Sequence, residues 1–175
     1  MYIKYMLSLA IVLGFAGWST AQSSAKYMKI VPQVDGTLYF IKPVKLKNAD
    51  GEKLEIDFTY FHNKIDPTGV VDVKFSVYTK MPVKSIDRVI FNINKDKQVN
   101  TLPGISLMYT EQQKGKWISR FSATLSLDDL KELVKPENAI YIWPETANPV
   151  MKRFEGGGTW KKVSSNIWGI FATML

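Results

Sequence analysis

Two segments of this chain alternate between apolar and polar residues, and they restrict its fold more than any other feature. Val71, Val73, Phe75 and Val77 are separated by Asp72, Lys74 and Ser76, with Tyr78 following. Leu54, Ile56, Phe58 and Tyr60 are separated by Glu55, Asp57 and Thr59. Successive side chains of a strand point to opposite faces, so each pattern sets one face against a core and the other toward water. That is the signature of antiparallel strands covered on one side. Asp66-Pro67-Thr68-Gly69 between the two segments is a turn, which makes them neighbours in a meander.

The same reading extends in both directions. Residues 22 to 35 are a mixed polar lead-in, and alternation begins at Gly36. From Thr37 to Lys47 the chain is rich in β-branched and aromatic residues, but Pro43 removes a ladder donor and marks an edge strand or a bulge. Asn48-Ala49-Asp50-Gly51 turns the chain into the next strand. After Met81-Pro82 a fourth strand places Val89, Phe91 and Ile93 inward, and it gives way to the polar run Asn94 to Asn100. Ile105 to Glu111 and a strand carrying Trp117, Ser119, Phe121, Ala123 and Leu125 on one face form a hairpin around Gly115.

Ser126 then caps a helix from Leu127 to Lys135, with Asp129 three residues on and Leu127, Leu130, Leu133 and Val134 as its apolar stripe. Lys135-Pro136 ends it. Ala139 to Trp143 reads as a further strand, and Gly156-Gly157-Gly158 as a turned loop. Ile167, Ile170, Phe171, Met174 and Leu175 have helical spacing behind Ser164 and Ser165, so residues 165 to 175 are expected as a C-terminal helix, with a strand as the other reading. The expected fold is mainly β: an antiparallel β-sandwich of seven or eight strands with one internal and one C-terminal helix. The alternative is an α+β fold with a single sheet covered by the helices.

The first residues address compartment. Lys4, an apolar stretch from Met6 to Ala16, and small residues at Ser19 and Ala21 have the form of an export signal. Cleavage after Ala21 leaves residues 22 to 175 as one β-rich domain, with no transmembrane segment expected thereafter. The product is then periplasmic, held at the cell surface or secreted. The chain has no cysteine, which excludes disulfides, thiolate zinc sites, cysteine nucleophiles and lipid attachment through a cysteine.

Recognisable catalytic patterns are lacking. His62 is the sole histidine, and no serine stands in a Gly-x-Ser-x-Gly setting. Glu55, Asp57, Glu111, Glu132, Glu145 and Glu155 are available carboxylates, but no spacing selects a pair for glycoside hydrolysis. Asp128 and Asp129 are explained by the helix start, and there is no Asp-rich calcium loop. No catalytic residue, metal site or cofactor is therefore assigned.

The formal charge of +7 falls to +6 without the signal's Lys4, yet the lysines are scattered and often stand beside acids, as on a solvated surface rather than one that binds nucleic acid. The densest basic and aromatic cluster surrounds the triple glycine: Lys152, Arg153, Trp160, Lys161 and Lys162. It is the expected place for an anionic ligand. Tyr78, which strand parity turns away from the core, Tyr109 and Trp160 are candidates for stacking on sugar rings. The expected function is a non-catalytic binding or interaction domain of the bacterial cell envelope, its partner an envelope protein or glycan. A surface glycan-binding module is the alternative and a hydrolase a distant third.

Overall fold

The computed structural model describes residues 26–65, 69–91, 100–135, 137–146 and 149–172. The expected export signal, Ile93 with the polar run after it up to residue 99, most of the turn at Asp66, and Met174 with Leu175 lie outside those residues.

In chain order the elements are β1 (Met28–Pro32), β2 (Gly36–Lys47), β3 (Lys53–Asn63), β4 (Val70–Thr79), β5 (Ile86–Phe91), β6 (Asn100–Thr101), β7 (Ser106–Gln113), β8 (Lys116–Ser126), α1 (Leu127–Leu133), β9 (Ile140–Pro144), β10 (Lys152–Phe154) and α2 (Gly158–Ala172). Six strands form one sheet in the order β1-β2-β3-β4-β8-β7, and four form a second in the order β10-β9-β5-β6. Every pairing is antiparallel. Among the described residues the fold is mainly β with two helices, as its alternation implies.

Register makes the large sheet amphipathic. Leu54, Ile56, Phe58 and Tyr60 of β3 stand opposite Val77, Phe75, Val73 and Val71 of β4. Those four in turn face Ser119, Phe121, Ala123 and Leu125 of β8. Apolar therefore meets apolar across three strands, and the Phe75 and Phe121 rings stack at 5.4 Å. Ser119, in this row, is fully buried, and its Oγ accepts the Val83 N–H at 3.0 Å, so it is not left unsatisfied.

What covers this face combines the two expected architectures. Val89 and Phe91 of β5, Ile140 and Ile142 of β9, and Phe154 of β10 belong to the same hydrophobic cluster as the large sheet, as do the inward residues of both helices. Part of the face is thus sandwiched by a second sheet and part is roofed by helices. Helix α1 starts at the predicted cap, where Ser126 Oγ accepts the Asp129 N–H at 3.1 Å, and it buries Leu127, Leu130 and Leu133.

Three expectations are corrected. Ten strands form among the described residues rather than seven or eight; β1 arises inside the supposed lead-in, held by backbone pairing to β2 with only Met28 buried, which leaves little periodic signal. The C-terminal helix begins at Gly158, well before Ser164, because Trp160 and Val163 extend the buried stripe of Ile167 and Phe171 at helical spacing. Gly156 and Gly157 form the loop that the sequence implies, and Gly158 is the first residue of the helix. Ser164 and Ser165 are not caps: both hydroxyls donate back to the Lys161 carbonyl, at 3.2 and 2.8 Å.

Gly156 is required by packing. A Cβ there would lie 2.0 Å from both Cβ and Cγ of Trp160, whose side chain is fully buried and has no room to withdraw. Gly156→Ala is expected to destabilise the protein by about 1–3 kcal/mol. Gly157→Ala, where a Cβ meets nothing within 4 Å, is expected to leave stability nearly unchanged. Paired denaturant unfolding curves check both.

Candidate functional site

The outer edge of β2 has two different partners with a space between them. At one end β1 pairs along it up to Met28 opposite Ile41, and the Lys42 N–H donates to the Tyr27 carbonyl at 2.9 Å. At the other, Lys47 and Glu155, just past β10, exchange two backbone hydrogen bonds of 3.0 and 2.9 Å in antiparallel sense. Since β3 occupies the opposite edge of β2 as far as Lys47, both partners lie on the same side. Between them, residues 43 to 46 face no strand among the described residues.

Pro43 accounts for part of this gap. It has no N–H to donate, and the pairing register with β3 shifts between Ile41 and Val44, which is a bulge. Both options the sequence offered for Pro43, bulge and edge, are realised at one place. Hydrogen-bonding direction alternates along an antiparallel strand, and Lys47 directs its backbone groups toward Glu155. The N–H and C=O of Lys45 therefore point the same way, into the gap.

The gap opens into a groove of about 1040 Å³. Val44, Val163 and Pro43 give it an apolar lining, and the start of α2 contributes Gly156, Gly157 and Thr159. Its charges are strongly biased: Lys26, Lys42, Lys45, Lys47 and Arg153 line it with one carboxylate, Glu155, which already pairs with Arg153. Lys45 reaches Glu55 at 3.4 Å but remains largely in solvent. Lys26 and Lys47 carry no ion pair among the described residues. The free N–H groups at the start of α2 add partial positive charge.

The structure disperses the cluster that the sequence grouped around the triple glycine. Arg153 lines the groove, its guanidinium also 5.8 Å from the Tyr141 ring. Lys152 is engaged in structure: its Nζ binds Glu52 at 2.6 Å, tying β10 to the turn between β2 and β3. Lys161 and Lys162 are exposed beside a second, open depression shared with Tyr27. Trp160 is 1% exposed, so as a surface stacking residue it is corrected to a core residue. The residues that complete the groove are Lys26, Lys42, Lys45 and Lys47, which looked like scattered surface lysines. The signal for them was Lys42, Lys45 and Lys47 placed around the proline that breaks the ladder.

The aromatic candidates lie on the other side of the large sheet. Tyr78 does point away from the core, as its parity requires, and its hydroxyl donates to Glu55 Oε2 at 2.6 Å. Lys53 Nζ stands 3.6 Å over its ring and also binds Glu55 at 3.2 Å, so a lysine already occupies one ring face. Tyr109 sits on β7 opposite Arg120 and is 45% exposed, while Arg120 itself holds Asp57 at 2.7 Å and Ser76 at 2.9 Å. Tyr78, Tyr109 and Trp160 do not form a common platform. His62, near the end of β3, has its Nδ1 3.3 Å from the Tyr60 hydroxyl. No group of three or more His, Asp or Glu side chains among the described residues is arranged to hold a metal ion.

No family model matches the chain, and no curated protein or solved structure shows significant similarity to it.

The Glu55 and Tyr78 pair titrates abnormally. Burial pushes the Glu55 carboxyl up, but the Tyr78 hydroxyl, Lys53 and Lys45 together bring it below its ordinary value. Burial and then the bond to Glu55 push Tyr78 up to about 12. A raised phenol pKa contributes stability that is present below the ordinary value near 10 and is lost as pH rises through the folded one. Ultraviolet titration of phenolate is expected to show a tyrosine ionising near pH 12 that disappears in Tyr78→Phe and moves down in Glu55→Gln.

Proposed function

We propose that this protein is a non-catalytic binding domain of the bacterial cell envelope that holds an extended, anionic ligand in the groove beside β2. The observation that carries the reading is the concentration of five basic side chains, with one already paired carboxylate, around a groove of about 1040 Å³. Such a cleft attracts anions and orients them along its length. The placement of its parts on strands β2 and β10 and at the start of α2 keeps the charges preorganised, which lowers the entropy lost on binding. The groove lining among the described residues holds no histidine and its one carboxylate is paired with Arg153, so the reading is one of binding without chemistry. The envelope address rests on the form of the first 21 residues.

A glycan ligand agrees with the groove only where it is acidic. Recognition of neutral sugars relies on exposed aromatic faces, and here Trp160 is inside while Lys53 covers a face of Tyr78. Charge, not stacking, is what this surface offers.

Binding of poly-L-glutamate and polygalacturonate, followed by thermophoresis at low and moderate salt, tests the proposal. The double variant Lys47→Glu with Arg153→Glu is expected to bind at least tenfold more weakly. Lys114→Glu with Lys116→Glu, at the β7–β8 hairpin, is expected to bind as the parent does. Binding of the parent should weaken with salt, since the groove is open to solvent. Equal affinity of the groove variant and the parent would overturn the reading.

A further inference from the structure

The groove carries a geometric cue that a diffuse basic patch lacks. Its wall is a strand whose ladder is interrupted, with β1 pairing on one side of the interruption and Glu155 on the other, both antiparallel to β2. The path of a strand through the gap is therefore already laid out, and no strand among the described residues takes it over residues 43 to 46, about 13 Å at 3.3 Å per residue. The Lys45 N–H and C=O supply a donor and an acceptor in the pattern that an antiparallel partner completes. A polysaccharide has no matching array of alternating N–H and C=O groups.

We propose that the ligand of this groove is an extended acidic peptide segment that adds to β2 in the gap, a reading that rests on the anion-binding function above. Strand addition gives affinity through the main chain and selectivity through alternate side chains. Both alternations are set by β2. Val44 and Leu46 point to the core face, whereas Lys45 and Lys47 point to the opposite face. An added strand shares this parity, so its inward side chains meet the apolar lining of Val44 and Val163, and its outward ones meet Lys45 and Lys47. The preferred sequence alternates apolar and acidic residues. Antiparallel to β2, it runs from the Glu155 end toward Lys26 and Lys42, so its carboxyl-terminal side also enters basic surroundings.

The register makes a prediction that charge alone does not. The residue opposite Lys45 forms the hydrogen-bonded pair and lies on the outward face, so it is an acidic one, and its N–H points at β2. The apolar residues have their N–H groups turned away. A short fluorescein-labelled peptide alternating glutamate and valine is compared by anisotropy with two versions, one N-methylated on the glutamates and one on the valines. The parent peptide is expected to bind, glutamate methylation to weaken binding at least tenfold, and valine methylation to change it less than threefold. Equal binding of all three, or greater loss on valine methylation, overturns strand addition while leaving the anionic groove intact. Failure of every peptide, with polygalacturonate still bound and released by Lys47→Glu with Arg153→Glu, overturns the peptide assignment alone. Failure of peptides and polyanions together overturns both readings.

Discussion

Side-chain parity across β2, β3, β4 and β8 is the constraint on which the rest of the molecule depends. Ile41 faces Phe58, Phe58 faces Val73, and Val73 faces Ala123, so a continuous apolar layer runs across four strands. A slip of one residue at any of these pairings would turn a strand's apolar row into solvent and its acids and lysines into the core. Burial of the row fixes the register, and the register then determines which residues form the opposite face. There two hydrogen-bonded groups form, Tyr78 with Glu55 and Arg120 with Asp57 and Ser76.

The cover over the apolar layer explains why β2 is left open. Neither the second sheet nor the helices span it alone. Helix α2 lies against the β2 and β3 end, where Phe171 packs edge-on to Tyr39 and Tyr60 at 6.1 and 5.8 Å. β10 enters from the small sheet and reaches β2 only through Glu155 at Lys47. The chain from β10 to α2 must then leave the ladder within Gly156 and Gly157, since Gly158 is already helical. Close packing of Gly156 on Trp160 holds it on that course. Because β1 stops at Met28, the two neighbours of β2 do not meet, and the gap follows from where three elements end.

The sheet was legible because its strands are amphipathic. Val71 to Val77 and Leu54 to Tyr60 announce their faces one residue at a time, and Ser126 with Asp129 announces α1. Elements that depend on contacts elsewhere were not legible. β1 buries Met28 alone, and its pairing is carried by backbone groups common to every sequence. The start of α2 was hidden because three glycines disfavour a helix locally, and only burial of Trp160 and Val163 against the core pulls the last of them into one. The candidate site was half legible. Pro43 flags the ladder defect and Arg153 stands in the basic cluster, but Trp160 reads as a surface aromatic although its bulk is needed inside, and Lys26 comes to Lys42 only through the pairing of β1 with β2.

Net charge by itself points to no partner, and the distribution of that charge is what gives it meaning. Across the outer face, basic groups are largely matched: Lys45 and Lys53 with Glu55, Arg120 with Asp57. Lys152 is matched with Glu52 at the turn beyond β2. Apart from Lys45 these side chains are partly buried, and their pairing cancels the field that scattered lysines would otherwise produce. Lys26 and Lys47, which form no ion pair among the described residues, flank the stretch of β2 that no described strand covers. A positive groove beside unpaired backbone groups selects on two properties at once, negative charge and extended main chain, and a ligand with only the first satisfies half of what the surface presents.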